Sequence, residues 1–263
     1  MGLFNGYLKE GKGVEKDTRE KKGFFKFFEH FSHHSWKLLM AGIVTNLLSL
    51  PIVTFGIAEV GMSRVARSAS LDRPIFITSD YLDSIKKNWK QATAVAIIDG
   101  LIICCMALSL FIAWAISKVL VFGLALFVIL CVGAFVFWCS THYHYTLLMT
   151  CNLKLGQIYK NSFKLVALGL KSNLIIALSL GAIYGLMIAV YSLGNITALA
   201  IMVLIFTLVY RMLSSYIIQF NTFPVVRKYI LDPYYEQHPD EDKEIRHDLG
   251  MYDMFEELEG ITE

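Results

Sequence analysis

A chain of 263 residues with a formal net charge of +2 is long enough to fold, yet 56% of it is hydrophobic, only 17% is charged, and its mean hydropathy is +0.53. Soluble domains carry about 25% charged residues to give a core a polar surface. The apolar residues here come in unbroken blocks close to the ~20 residues that cross hydrocarbon as a helix, which excludes a soluble globular domain and the alternating pattern of barrel strands.

Residues 1–22 are polar and rich in Gly and Lys and read as a cytoplasmic segment; the first 37 residues hold eight Lys/Arg. No A-x-A-like cleavage site follows the first apolar run, so no cleaved leader is expected. Residues 23–31 read as a short interfacial helix with phenylalanines at the headgroup boundary. Residues 38–50 are apolar, Pro51 interrupts them, and residues 52–62 are apolar again with Glu59 inside, ahead of Arg64, Arg67 and Arg73.

Within residues 79–90, Leu82, Ile85 and Trp89 share one helical face, which predicts a second amphipathic helix with Ser79 at its N-cap. Residues 92–116 form an expected span containing Asp99, Lys118 marks a short turn, and residues 119–148 form the next span. Residues 157–164 make a third amphipathic piece. Residues 173–191 and 196–220 are spans joined by the uncharged turn 192–195. Residues 221–263 form a cytoplasmic tail, acidic because residues 232–263 hold twelve Asp/Glu against Lys243 and Arg246.

The order repeats as amphipathic elbow, basic residue, span, short turn, span. It predicts an all-α polytopic transmembrane bundle, residues 23–220, of three elbow-helix-plus-hairpin units with five to six membrane segments. Residues 150–172 carry four Lys and no acid, and residues 63–90 carry six Lys/Arg, whereas the turns at 117–118 and 192–195 carry one Lys and none. Positive charge stays inside, so the elbows and both termini are expected in the cytoplasm. Both ends of residues 38–62 are then cytoplasmic, and the block is expected to bend at Pro51 into a hairpin. Its ~13-residue arms reach only about 20 Å, so the hairpin is expected to be re-entrant. Five full spans with the N-terminus outside is the competing arrangement.

Ionisable groups inside apolar blocks are functional candidates by default because lipid penalises them. Asp99 and Glu59 are the two carboxylates of this kind, with Arg64 a sequence-local partner for Glu59. His142 and His144, in Thr141-His142-Tyr143-His144-Tyr145, are the other candidates. Two residues apart, they point about 200° apart on a helix and do not chelate one ion, so interface anchoring competes with a ligand or proton site. Asn46 is placed to hydrogen-bond a neighbouring helix. The cysteines Cys104, Cys105, Cys131, Cys139 and Cys151 have no metal spacing. No phosphate loop, zinc-protease, nucleophile-elbow or dinucleotide motif is present, and no nucleic-acid-binding motif accompanies the basic start. The expectation is therefore no enzyme, no cofactor, no metal and no nucleic-acid partner.

Several segments resemble the YesL-like family of bacterial membrane proteins. They are Met1-Gly2-Leu3-Phe4-Asn5 with Gly11-Lys12-Gly13-Val14, then Ser49-Leu50-Pro51-Ile52-Val53-Thr54-Phe55-Gly56. Lys87-Asn88-Trp89-Lys90-Gln91, Gln157-Ile158-Tyr159-Lys160-Asn161, and Phe223-Pro224-Val225-Val226-Arg227-Lys228-Tyr229 with Asp232-Pro233-Tyr234-Tyr235 follow. The family start often reads Gly-Pro-Gly-Val where this chain has Gly-Lys-Gly-Val. The family has no established activity, and its members are commonly encoded beside carbohydrate ABC-transporter components. The resemblance implies a multi-pass protein of the bacterial cell membrane that is accessory to sugar uptake. Such a protein would contact the lipid bilayer, and ABC-transporter subunits through its cytoplasmic elbows or acidic tail. The alternative is a small independent transporter or channel using Asp99 and the His142/His144 region.

Overall fold

A computed structural model describes residues 23–238, and the elements found among them are helical. Helix α1 is Gly23–Leu48, followed by a 3-10 turn at Ile52–Thr54 and helix α2 at Phe55–Ser70. The long helices α3 (Ile77–Ser117) and α4 (Val121–Thr150) come next, then α5 (Leu155–Leu168) and α6 (Leu170–Ser192). Helix α7 (Ile196–Val226) runs through a π-helical turn at Arg227–Leu231 into α8 (Asp232–Gln237). Four stretches are long and apolar enough to cross a membrane: Ile77–Ser117, Val121–Thr150, Leu170–Ser192 and Ile196–Gln237.

Pro51 ends α1, because a proline disfavours helical backbone in the residue before it. The Thr54 hydroxyl bonds the carbonyls of Leu48 and Pro51 and closes the turn. The chain then returns antiparallel to α1. The Tyr81 hydroxyl lies 2.9 Å from Thr45 Oγ1 on α1 and donates to the Ala58 carbonyl on α2 at 3.1 Å. Near the middle of α1, Lys37 Nζ donates to the Ile75 carbonyl at 3.0 Å. Residues 38–62 are thus a bent hairpin rather than one straight helix, as Pro51 suggested.

Two glycines set how closely this hairpin approaches α3. A Cβ on Gly56 would stand 2.2 Å from the Ala92 carbonyl oxygen and 2.7 Å from Ala96 Cβ. A Cβ on Gly61 would stand 2.6 Å from the Tyr81 ring. The turn therefore packs beside Ala92 and Ala96, and about 30 Å of α3 runs on from there to Ser117 at 1.5 Å per residue.

Burial is concentrated at the elbow end. One core cluster joins Val60, Val95, Tyr143, Leu147, Ile158, Leu165, Phe223 and Leu231; another joins Leu38, Met62, Val65, Tyr81, Met212 and Tyr216. Far from them the paired helices α3–α4 and α6–α7 are bare: Phe122 is 76% exposed and Ile196 is 81% exposed. Only 6–11% of each apolar window is buried inside the protein. Apolar surface of this extent is stable only against lipid or against other apolar helices.

Four local expectations change. Residues 79–90 and 92–116 are one helix, α3, because no glycine or proline interrupts residues 77–99. Ser79 is not the N-cap: α3 begins earlier, at Ile77, and Asp80 Oδ2 accepts the Phe76 N–H at 2.8 Å. Residues 23–31 are the start of α1 rather than a separate short helix. The third elbow does stand apart as α5. Gln157 Oε1 accepts the Lys154 N–H at 3.0 Å to start it, and Gly169 ends it where a Cβ would meet the Tyr143 hydroxyl at 2.5 Å. Residues 221–237, assigned to the tail from sequence, continue the helix and bury Phe223, Val226 and Leu231. Residues 1–22 and 239–263, including the acidic end, lie outside the described residues.

Candidate functional site

Asp99 on α3, His144 on α4 and Tyr159 on α5 meet at the packed end of the molecule. His144 Nδ1 lies 3.0 Å from Asp99 Oδ2, and the Tyr159 hydroxyl donates to Asp99 Oδ1 at 2.8 Å. His144 is fully buried and Asp99 nearly so. The three elements converge because α3 and α4 pair along their length while α5 folds back across them on Ile158, Ser162 and Leu165. The His144 ring also sits edge-on to Tyr159, with centroids 4.4 Å apart.

An ionised carboxylate only accepts hydrogen bonds, so with Asp99 charged the proton of His144 sits on Nδ1. Nε2 then presents its lone pair, and it is buried with no hydrogen-bond partner among the described residues. Both carboxylate oxygens have donors, which is how a buried carboxylate becomes tolerable. A carboxylate-oriented imidazole with a free nitrogen can hold or pass a proton.

Glu59 joins a second site. Its carboxylate meets the Arg211 guanidinium of α7 at 2.5 Å, with the side chains 13% and 20% exposed. The same guanidinium lies 5.2 Å from the centre of the Phe55 ring. Asn46 Nδ2 donates to the Thr207 carbonyl of α7 at 2.7 Å, so it does bridge to a neighbouring helix. Together these contacts fasten the Pro51 turn to the middle of α7.

His142 belongs to neither site. Its ring packs edge-on against Trp138 at 4.5 Å, on another face of α4 from His144. Farther along α4, Thr146 Oγ1 accepts from Gln219 Nε2 at 3.0 Å. The Tyr143 hydroxyl donates to Asn173 Oδ1 at 3.0 Å, and Asn173 Nδ2 donates to the Val166 carbonyl at 2.9 Å. These bonds fasten α4 to α7 and to the α5–α6 joint.

A polar cluster also joins α1 to the loop after α2. His33 Nδ1 and His34 Nε2 lie 3.1 and 3.0 Å from Asp72 Oδ1, and His30 Nδ1 lies 2.9 Å from the Ser70 carbonyl. Asp72 has a left-handed φ of +53°, a conformation that aspartate tolerates better than most residues. Burial works against the Asp72 charge, but hydrogen bonds from His33 and His34 and the nearby His30 outweigh it and hold the carboxyl below its ordinary range. Burial likewise holds the His34 imidazole below its ordinary range, against the pull of Asp72. Among the described residues no group of three or more His, Cys, Asp or Glu is placed to hold a metal ion.

Asp99 and His144 are therefore brought together, Glu59 takes Arg211 rather than the sequence-local Arg64, Asn46 joins the Glu59 contacts in tying the Pro51 turn to α7, and His142 stands apart. Sequence reasoning missed Arg211 and Tyr159. Arg211 was detectable as the lone charged residue in 196–220. Tyr159 carried no such signal, because its role depends on α5 folding back onto α3.

The model of one protein family, described as a protein family of unknown function, DUF624, matches residues 38–110. That stretch holds Asn46, Glu59 and Asp99, and it excludes His144, Tyr159 and Arg211. The match is compatible with the YesL-like resemblance, since that family is a DUF624 member. No curated protein and no solved structure matches the chain.

Proposed function

We propose that this chain is an accessory or assembly subunit of a bacterial carbohydrate ABC-type uptake system, held in the cell membrane as a multi-pass protein. The observation that carries the reading is the bareness of the α3–α4 and α6–α7 pairs. Apolar windows buried only 6–11% within the protein leave most of their surface for lipid and for the helices of a partner. The sugar-uptake part of the reading rests on the family resemblance.

In the arrangement proposed, three elbow-plus-hairpin units lie side by side, with elbows and both termini in the cytoplasm. The first hairpin, α1–α2, is re-entrant. Its turn packs at Ala92 and Ala96, with about 30 Å of α3 still beyond it, about the thickness of the hydrocarbon core, which supports a hairpin that does not cross to the far face of the bilayer. The lysine-rich α5 and the uncharged turn at 192–195 support the same orientation.

The test is purification of the tagged full-length protein from native membranes in mild detergent. Recovery with the membrane subunits of a carbohydrate ABC importer is the expected result, and recovery of the protein alone contradicts the reading.

A second reading, a small independent transporter, is favoured by the Asp99–His144–Tyr159 site. A buried carboxylate and an imidazole with one free nitrogen are groups from which proton-coupled carriers are built. Reconstituted vesicles showing solute flux that Asp99→Asn abolishes would support it; no flux with sugars or ions removes it.

A further inference from the structure

Helix α5 presents two faces of different chemistry. Inward, Ile158, Ser162, Leu165 and Val166 are buried at helical spacing. Outward, Lys160, Phe163, Lys164 and Leu168 are exposed and share one stripe at positions i, i+3, i+4 and i+8. Phe163 is 45% exposed and Leu168 is 51% exposed. Lys154 and Lys171 flank the helix and are exposed too, and residues 150–172 contain no acid. The corresponding stretch of α3 differs, since Asp80 and Asp83 accompany Lys86, Lys87 and Lys90.

Its position is fixed by the chain. Helix α5 connects the end of α4 at Thr150 to the start of α6 at Leu170, two helices apolar enough to span. A helix joining the same-side ends of two spans lies at the membrane surface. There, apolar side chains enter the headgroup boundary while lysines on flexible stems reach up to charged headgroups. A basic stripe with no acid, interleaved with bare apolar groups at that depth, complements an anionic lipid surface in charge and in hydrophobicity at once.

We propose that the outer face of α5 is a binding site for anionic phospholipid headgroups of the adjoining leaflet, with Lys160 and Lys164 as the headgroup contacts and Phe163 and Leu168 as the apolar anchors. The inner face of the same helix carries Tyr159, which is bonded to Asp99. Lipid docking on one face therefore steadies the helix that completes the Asp99–His144 site on the other. The proposal requires membrane placement of α5 but not the accessory-subunit reading.

The experiment is native mass spectrometry of the full-length protein in detergent, titrated with phosphatidylglycerol or with phosphatidylcholine of matched chains. Wild type is expected to retain phosphatidylglycerol in preference, and the preference is expected to shrink as ionic strength rises. A lysine near an anionic surface contributes about fivefold, so K160Q/K164Q is expected to lower the preference roughly 5- to 25-fold. An unchanged melting temperature confirms that this surface variant folds. K86Q/K87Q on α3 is expected to leave the preference unchanged. Equal retention of the two lipids, an unchanged preference in K160Q/K164Q, or an equal loss in K86Q/K87Q overturns the proposal. So does zero-length carbodiimide crosslinking of Lys160 or Lys164 to carboxylates of residues 240–263 in nanodiscs containing phosphatidylglycerol, because the acidic tail would then occupy the face.

Discussion

The Glu59 carboxylate on α2 and the Arg211 guanidinium on α7 form an ion pair at 2.5 Å, joining the returning arm of the first hairpin to the last long helix. Neither charge is tolerable alone among apolar neighbours, and together they nearly cancel. Breaking a buried pair by removing one partner costs about 3–5 kcal/mol, and residual exposure brings the expectation here to about 2–3 kcal/mol. Arg211→Met and Glu59→Gln should each lower the melting temperature in detergent, while the double variant should lose less than the sum of the two. Additive losses would mean that the two charges do not depend on each other.

Gly56 leaves no room for a side chain. Its Cβ would fall 2.2 Å from a backbone oxygen of α3, which cannot swing aside as a flexible side chain can. Gly56→Ala should therefore push α2 off α3 and destabilise by about 1–3 kcal/mol, the usual range for overpacking. Gly181→Ala, where nothing stands within 4 Å, is the matched control and should change little. Thermal unfolding of both variants checks this, and equal effects would contradict the close approach.

Asp99 holds donors from α4 and α5 at once. Tyr159→Phe removes one donor while Asp99 keeps the other, so a loss of about 1–2 kcal/mol is expected. The freed α5 should then show faster amide exchange than α3. Asp99→Ala should release His144 and Tyr159 together and give a larger loss than Tyr159→Phe. Unaltered protection of α5 in both variants would show that the helix is held by its apolar face alone.

Acid should loosen the joint between α1 and the loop after α2. Burial favours neutral His34 in the folded protein, so its folded value lies below the ordinary one. The stability linked to it is complete above the unfolded value of about 6.5 and falls as pH drops below it. Asp72 is also held low, so its contribution is present above about 3.8 and is lost as pH falls through the folded value. Both effects have the same sign. Amide exchange at residues 71–76, corrected for intrinsic rates, should rise between pH 7 and pH 5, and His34→Gln should flatten that rise. Protection that increases on acidification would contradict the sign.

The helical class and the break at Pro51 were legible because lipid solubility and proline geometry are local properties of the chain. So was the separate elbow α5, which Gly169 and the extended residues 151–154 mark off. The merger of residues 79–90 with 92–116 was not read, although the lack of any glycine or proline between them implied it. Partner identity was the hardest part. Arg64 stood close to Glu59 in sequence, but a partner across the bundle is selected by how α2 lies on α7. The opposite directions of His142 and His144 followed from helical spacing. That His144, rather than His142, meets Asp99 depends on how α4 is rotated against α3, which hydropathy does not encode.

Every membrane depth assigned above rests on α3–α4 and α6–α7 crossing the bilayer while α1–α2 turns back inside it. Single cysteines at Val53, Lys118 and Gly194, with the five native cysteines replaced by alanine, test this with a membrane-impermeant maleimide on intact cells. Labelling at positions 118 and 194 but not at 53 is the predicted result. Labelling at 53 from outside would mean that the first hairpin spans the membrane and would contradict the re-entrant arrangement.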